Sequence, residues 1–155
     1  MPRGEGFREP RPVAHVPVER VESVTELCRQ TVQRLASRLP GAHVYCHLRI
    51  GNGLRVIASE GGTRLIYEVR RELGGICWRA VETGEAQLVE DVRRDPDYMA
   101  TDERVRSEIA VPVAGGDETT LVLDAEFPER PFAAEEVDVV LAEAARLEAD
   151  LTGRS

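Results

Sequence analysis

From residue 18 to residue 39 the apolar side chains fall at Val21, Val24, Leu27, Cys28, Val32, Leu35 and Leu39. Steps of three and four place them on one stripe of a helix, which Pro40-Gly41 ends. The period then changes to two. Val44, Cys46, Leu48 and Ile50 share one face of a strand, and His43, Tyr45, His47 and Arg49 share the other. Gly51-Asn52-Gly53 makes a hairpin turn, residues 54–59 are the return strand, and Gly61-Gly62 closes it. A connection this short makes the pair antiparallel.

Residues 73–83 read as a short helix, entered through Gly74-Gly75 and ended by Gly84, followed by a strand over 87–92. Residues 93–106 are polar, with a turn at Asp95-Pro96-Asp97, and read as a loop holding one helical turn. A second hairpin joins 108–113 to 119–127 around Ala114-Gly115-Gly116-Asp117. The final helix, 134–151, carries Val137, Val140, Leu141, Ala144, Leu147 and Leu151 on one stripe. The order of elements predicts an α+β domain. Its antiparallel sheet has the two long terminal helices on one face, and the shorter middle segments leave room for a ligand pocket on the other.

Alternation in the second hairpin sorts its side chains. Ile109, Val111 and Val113 point one way, with Leu121 and Leu123 on the matching face of the next strand. Glu108, Asp124 and Glu126 then lie together on the pocket face. Clustered carboxylates repel one another and resist burial. A ligand ammonium would compensate them, as would an arginine such as Arg104 or Arg106, or a divalent cation. No ligand spacing supports the last. Among the aromatics, Tyr98 in the polar loop is the candidate lid, with Tyr67 and Trp78 as further wall residues and a core position the alternative for Trp78.

Composition narrows the function classes. The chain has 155 residues, 42% hydrophobic and 31% charged, the size of one domain. We expect that domain over residues 17–152, after a flexible tail at 1–16. No run of about 18 apolar residues offers a membrane span, and the tail lacks the apolar segment of a secretory signal. A cytoplasmic location follows. The net charge is −8 with pI ≈ 5.0, every basic residue is arginine, and no basic stripe is present to track a phosphate backbone. Nucleic acid is therefore not an expected partner. Cys28, Cys46 and Cys77 are too few and too scattered for a disulfide framework, and His15, His43 and His47 show no metal-ligand spacing. No Gly-x-Ser-x-Gly elbow occurs, and Gly74-Gly75 and Gly115-Gly116 are turn glycines rather than phosphate cradles.

Several stretches taken in order carry a resemblance. They are Gly74-Gly75-Ile76-Cys77-Trp78-Arg79-Ala80-Val81-Glu82-Thr83-Gly84, then Val89-Glu90-Asp91-Val92 and Asp95-Pro96-Asp97-Tyr98. Arg106-Ser107-Glu108-Ile109-Ala110-Val111-Pro112-Val113, Leu123-Asp124 and Phe132 continue the order. Over residues 20–150 the chain resembles a GAF domain. The resemblance implies a five- to six-stranded antiparallel sheet, a pocket on one face for a small-molecule ligand, and a homodimer through the terminal helices. No cofactor is expected. Cys46-His47 is similar to the Cys-His pair that tethers bilins in some photoreceptors of the family, but it sits in the first strand with its side chains on opposite faces.

The chain is also similar to the catalytic branch of that family, the free methionine-(R)-sulfoxide reductases. Cys77 occupies their Gly-x-x-Cys position, and Glu108, Asp124 and Glu126 match the carboxylates that hold the substrate's amino group. Their catalytic thiol precedes an aspartate in the loop before Ser-Glu-Ile, where this chain has Thr101 followed by Asp102. Sulfoxide reduction needs a thiolate nucleophile and a resolving thiol, which a threonine hydroxyl cannot replace. Cys28 and Cys46 read as packed core thiols. Cys77, near a helix N-terminus, reads as packed or as a redox-sensitive thiol. The expected function is a stand-alone, non-catalytic sensory module with an amine-bearing ligand held by Glu108, Asp124, Glu126, Cys77, Tyr98 and Thr101. A divergent reductase, or a dimerisation module with a vestigial pocket, are the alternatives.

Overall fold

The computed structural model describes residues 18–61, 68–99, 103–116 and 119–153. The expected tail, Tyr67 and Thr101 lie outside the described residues.

The first helix, α1 (Val18–Arg38), and the last, α3 (Ala134–Thr152), bury their stripes against one face of a six-stranded sheet. The strands are β1 (His43–Ile50), β2 (Gly53–Glu60), β3 (Glu68–Arg70), β4 (Gln87–Val89), β5 (Val105–Ala114) and β6 (Thr120–Pro128). They run in the order β3-β2-β1-β6-β5-β4, every neighbouring pair antiparallel. The first and last hairpins therefore meet at the centre, where β1 pairs with β6.

The sheet separates two apolar layers. Beneath the terminal helices, Cys28, Leu35 and Leu147 pack on Val44, Leu48, Ile109, Leu121 and Leu123. Each fully buried leucine contributes roughly 1.5–3 kcal/mol of transfer free energy. On the opposite side, α2 (Ile76–Thr83) lays Ile76, Trp78 and Ala80 over Leu54, Ala110 and Val122. Trp78 is a core residue of this layer, and its indole N–H donates to the Val69 carbonyl at 2.9 Å.

The chain differs from its sequence pattern in four places, three of them in its middle. The helix expected over 73–83 is two pieces, a single turn Arg71–Leu73 and then α2. Gly74 and Gly75 hold φ of 67° and 108°, values no continuous helix permits. The strand expected over 87–92 ends at Val89, and a one-turn helix Val92–Arg94 follows. Three-residue β3 was not expected at all. On α3 the expected inward Leu141 is 36% exposed, whereas Glu143 is 6% exposed. No helix among the described residues is long and apolar enough to cross a membrane.

Candidate functional site

Pairing across the three central strands builds the site in rungs. His43 stands opposite Glu126, and Glu126 opposite Glu108. The next rung is Tyr45, Asp124 and Ala110, and the third His47, Val122 and Pro112. All three rungs face the α2 side, because their neighbours Val44, Cys46, Ile109, Leu121, Leu123 and Ala125 pack under the terminal helices.

The carboxylates are withdrawn from water: Glu108 is 4%, Glu126 2% and Asp124 0% exposed. Imidazoles stand next to them. His47 Nε2 lies 3.6 Å from Asp124 Oδ2, and His43 Nδ1 lies 3.9 Å from Glu126 Oε2, each contact an ion pair when the ring carries its second proton. Arg106, one of the arginines expected to neutralise the trio, instead faces Asp91 at 3.6 Å. Asp91 also accepts from Arg93, whose hydrogen bonds hold that carboxyl far below the usual range.

Cys77 enters from above, in the first turn of α2. Its Sγ is 3.8 Å from His47 Nε2 and 3.9 Å from Glu108 Oε1. One donor atom each from His47, Cys77 and Asp124 lies within 4.8 Å of the others, and the same holds for Glu108, Asp124 and Glu126. Over this cluster a cavity encloses about 420 Å³ of space, part of it open to solvent. Glu108, Glu126, His47 and Cys77 form its polar side; Val69, Ile76, Met99 and half-buried Tyr98 form its apolar wall.

Of the residues singled out from sequence, Cys77, Tyr98, Glu108 and Glu126 reach the cavity wall. Asp124 does not; it sits fully buried behind the wall, against His47. Cys28 and Cys46 lie on the other side of the sheet, in the helix layer. A hydrogen bond with Cys28, aided by burial, pushes the Cys46 thiol well above its ordinary range, so it stays protonated. The three cysteines form no disulfide.

Sequence reasoning missed His43, His47 and Met99. Alternation already set both histidines on the polar face of β1. What it lacked was the β1–β6 pairing, which brings residues 43–47 beside residues 122–126 across most of the chain's length. A second missed device holds the pocket roof. Arg79 of α2 donates to both oxygens of Asp95 at 2.8 and 2.7 Å, to Asp97 at 2.9 Å and to Gln87 at 2.8 Å. It thereby ties α2 to β4 and to the segment that leads into Tyr98.

Solved structures share this architecture. The type II free methionine-R-sulfoxide reductase of Thermoplasma acidophilum superposes with a TM-score of 0.74 at 21% identity, covering 86% of this chain and 96% of that one. The free methionine-R-sulfoxide reductase of Neisseria meningitidis, solved with its substrate, gives 0.72 at 24% identity over 86% of this chain and 85% of that one. The GAF domain of a phosphoenolpyruvate-protein phosphotransferase from Coxiella burnetii gives 0.68 at 16% identity over 88% and 92%. At these identities the likeness is one of fold. A free methionine-R-sulfoxide reductase of Saccharomyces cerevisiae is 43% identical over 47 residues, 30% of this chain; the match spans 26% of that protein's length. The family model described as GAF domain matches residues 21–147, nearly the whole described fold. This chain belongs to the GAF domain family.

Proposed function

We propose that the cavity binds a small amine-bearing metabolite and that the domain works as a sensory or regulatory module, in keeping with the small-molecule binding common among GAF domains in signalling. One observation carries the reading. Glu108 and Glu126 line an open cavity while nearly excluded from water, and their oxygens gather with those of Asp124 within 4.8 Å. Removing a carboxylate from water costs several kcal/mol unless a cation or hydrogen bonds replace the lost hydration. Two histidines supply part of that replacement, and a ligand ammonium reaching Glu108 and Glu126 supplies more. Tyr98 and Met99 would close over the apolar part of the ligand. The sheet under the site is also the bed of α1 and α3, so occupancy reaches the helix layer directly.

A thermal-melt panel of free amino acids, both methionine sulfoxide epimers, polyamines and cyclic nucleotides tests this, run with a chelator present. A ligand at about a hundred times its Kd adds about 2.7 kcal/mol. For a domain of this size that raises Tm by roughly 5–10 °C. The expected result is such a shift from an amine-bearing compound, lost in Glu126→Gln. A panel without any shift, or a shift that survives Glu126→Gln, overturns the assignment.

The position of Cys77 Sγ in the cavity favours a second reading, a divergent sulfoxide reductase. Its thiolate would attack the sulfoxide sulfur and take the oxygen as a sulfenic acid, releasing the thioether. Two equivalents of added thiol would then restore Cys77, with loss of water and formation of a disulfide. Turnover of a sulfoxide epimer with added thiol, absent in Cys77→Ser, would move this reading to first place.

A further inference from the structure

His47, Cys77 and Asp124 come from β1, α2 and β6, far apart in sequence, and meet with no exposed side chain among them. Two separations, 3.8 Å from Cys77 Sγ to His47 Nε2 and 3.6 Å from His47 Nε2 to Asp124 Oδ2, share one nitrogen as their hinge. Zinc bonds of about 2.3 Å to sulfur and about 2.0–2.2 Å to nitrogen and oxygen place tetrahedral neighbours about 3.3–3.6 Å apart. The two edges that meet at His47 Nε2 are thus within a few tenths of an ångström of tetrahedral spacing, and the third, between Cys77 and Asp124, is no longer than 4.8 Å. We propose that they bind one divalent transition-metal ion of the zinc class, with a fourth position turned towards the cavity.

The chemistry of the donor set selects the ion. A thiolate and an imidazole suit zinc, cobalt or iron(II), and one carboxylate is far short of the six to eight oxygens calcium requires. Binding exchanges the Cys77 thiol proton, released to water, for a sulfur–metal bond, and leaves His47 neutral with Nε2 as ligand. Three protein ligands with an open fourth position are the arrangement of a reactive rather than a closed structural metal. Glu108 Oε1, 3.9 Å from Cys77 Sγ, stands where it can accept a proton from a metal-bound water.

The site does not depend on the amine-binding reading. The ammonium is assigned to Glu108 and Glu126 and the metal to His47, Cys77 and Asp124, so only Glu108, as a neighbour of the metal, has a part in both.

Cobalt(II) supplies the direct test. The full chain, stripped with a chelator and dialysed, is titrated with Co²⁺ in the absence of any amine. The expected result is saturation at one equivalent, with a near-ultraviolet thiolate-to-cobalt band and the intense visible bands of a tetrahedral ion. Cys77→Ser should abolish the ultraviolet band, while Cys28→Ser and Cys46→Ser keep it at full intensity. His47→Gln should weaken Zn²⁺ competition by more than the roughly 10–100-fold that a change outside the ligand set costs. Absence of a thiolate band in the unaltered chain overturns the site, and so does a band that persists in Cys77→Ser. Failure here leaves the amine reading standing, because the melt panel contains chelator; a panel without shifts leaves the metal site standing.

Discussion

At the scale of single residues, Glu143 shows how one charge sets the rotation of a helix. It sits three positions after Val140 and four before Leu147, within the buried stripe of α3, and Leu141 is turned outward in its stead. The reason lies across the helix pair. Arg34 of α1 donates from Nη2 to Glu143 Oε2 at 2.9 Å and from Nε to both carboxylate oxygens at 3.2 Å. Apolar periodicity cannot register such a partner, so the sequence pattern placed Leu141 inside. Removing one member of a buried pair leaves the other desolvated and unpaired. Arg34→Met should accordingly lower stability by roughly 1–3 kcal/mol. Adding Glu143→Leu should restore most of the loss, since the paired gap becomes apolar. Denaturant unfolding of the single and double variants checks this; a double variant no more stable than the single would show that the carboxylate is not what the arginine satisfies.

At the scale of elements, legibility followed length and amphipathicity. α1, α3, β1, β5 and β6 each run for eight residues or more, so their periods stand out; alternation sorted the two faces of the strands, and on α3 the stripe was right except at Leu141. β3 and β4 have three residues each, too few for a period, and are held by their neighbours. The site divides the same way. Glu108 and Glu126 were readable from the last hairpin alone, whereas the histidines needed the pairing of β1 with β6. The Arg79 clamp belongs to this scale because it fastens α2 to the segment carrying Tyr98. Its hydrogen bonds hold the Asp95 carboxyl below the usual carboxylate range. A carboxyl depressed in the folded state contributes stability above its unfolded value of about 3.9 and loses it as pH falls towards the folded value. Tm should therefore drop on acidification from about pH 5 to about pH 3. Asp95→Asn should melt lower than the unaltered chain at neutral pH, with the gap narrowing across that window. A gap that stays constant in acid would separate Asp95 from the acid response.

At the scale of the whole molecule, the sheet is a shared wall rather than a partition. Along β1, β5 and β6, successive residues alternate between layers: Cys46 with His47, Ile109 with Ala110, Leu123 with Val122. Neither layer can be lost without stripping one face from those strands, so the two should unfold together. The chain itself supplies a probe for each. Its single tryptophan, Trp78, is 1% exposed in the α2 layer, while the 21-residue α1 and 19-residue α3 dominate the helical circular dichroism. Tryptophan fluorescence and far-ultraviolet dichroism should give superimposable melting curves. A fluorescence transition several degrees below the helical one would make the α2 layer a separate cooperative unit that opens before the helices. Occupancy of the cavity would then stabilise that layer alone, and the terminal helices would have no thermodynamic means of sensing the ligand. Coincident curves place cavity and helices in one cooperative system, so any free energy gained by binding at Glu108 and Glu126 is felt by α1 and α3 as well.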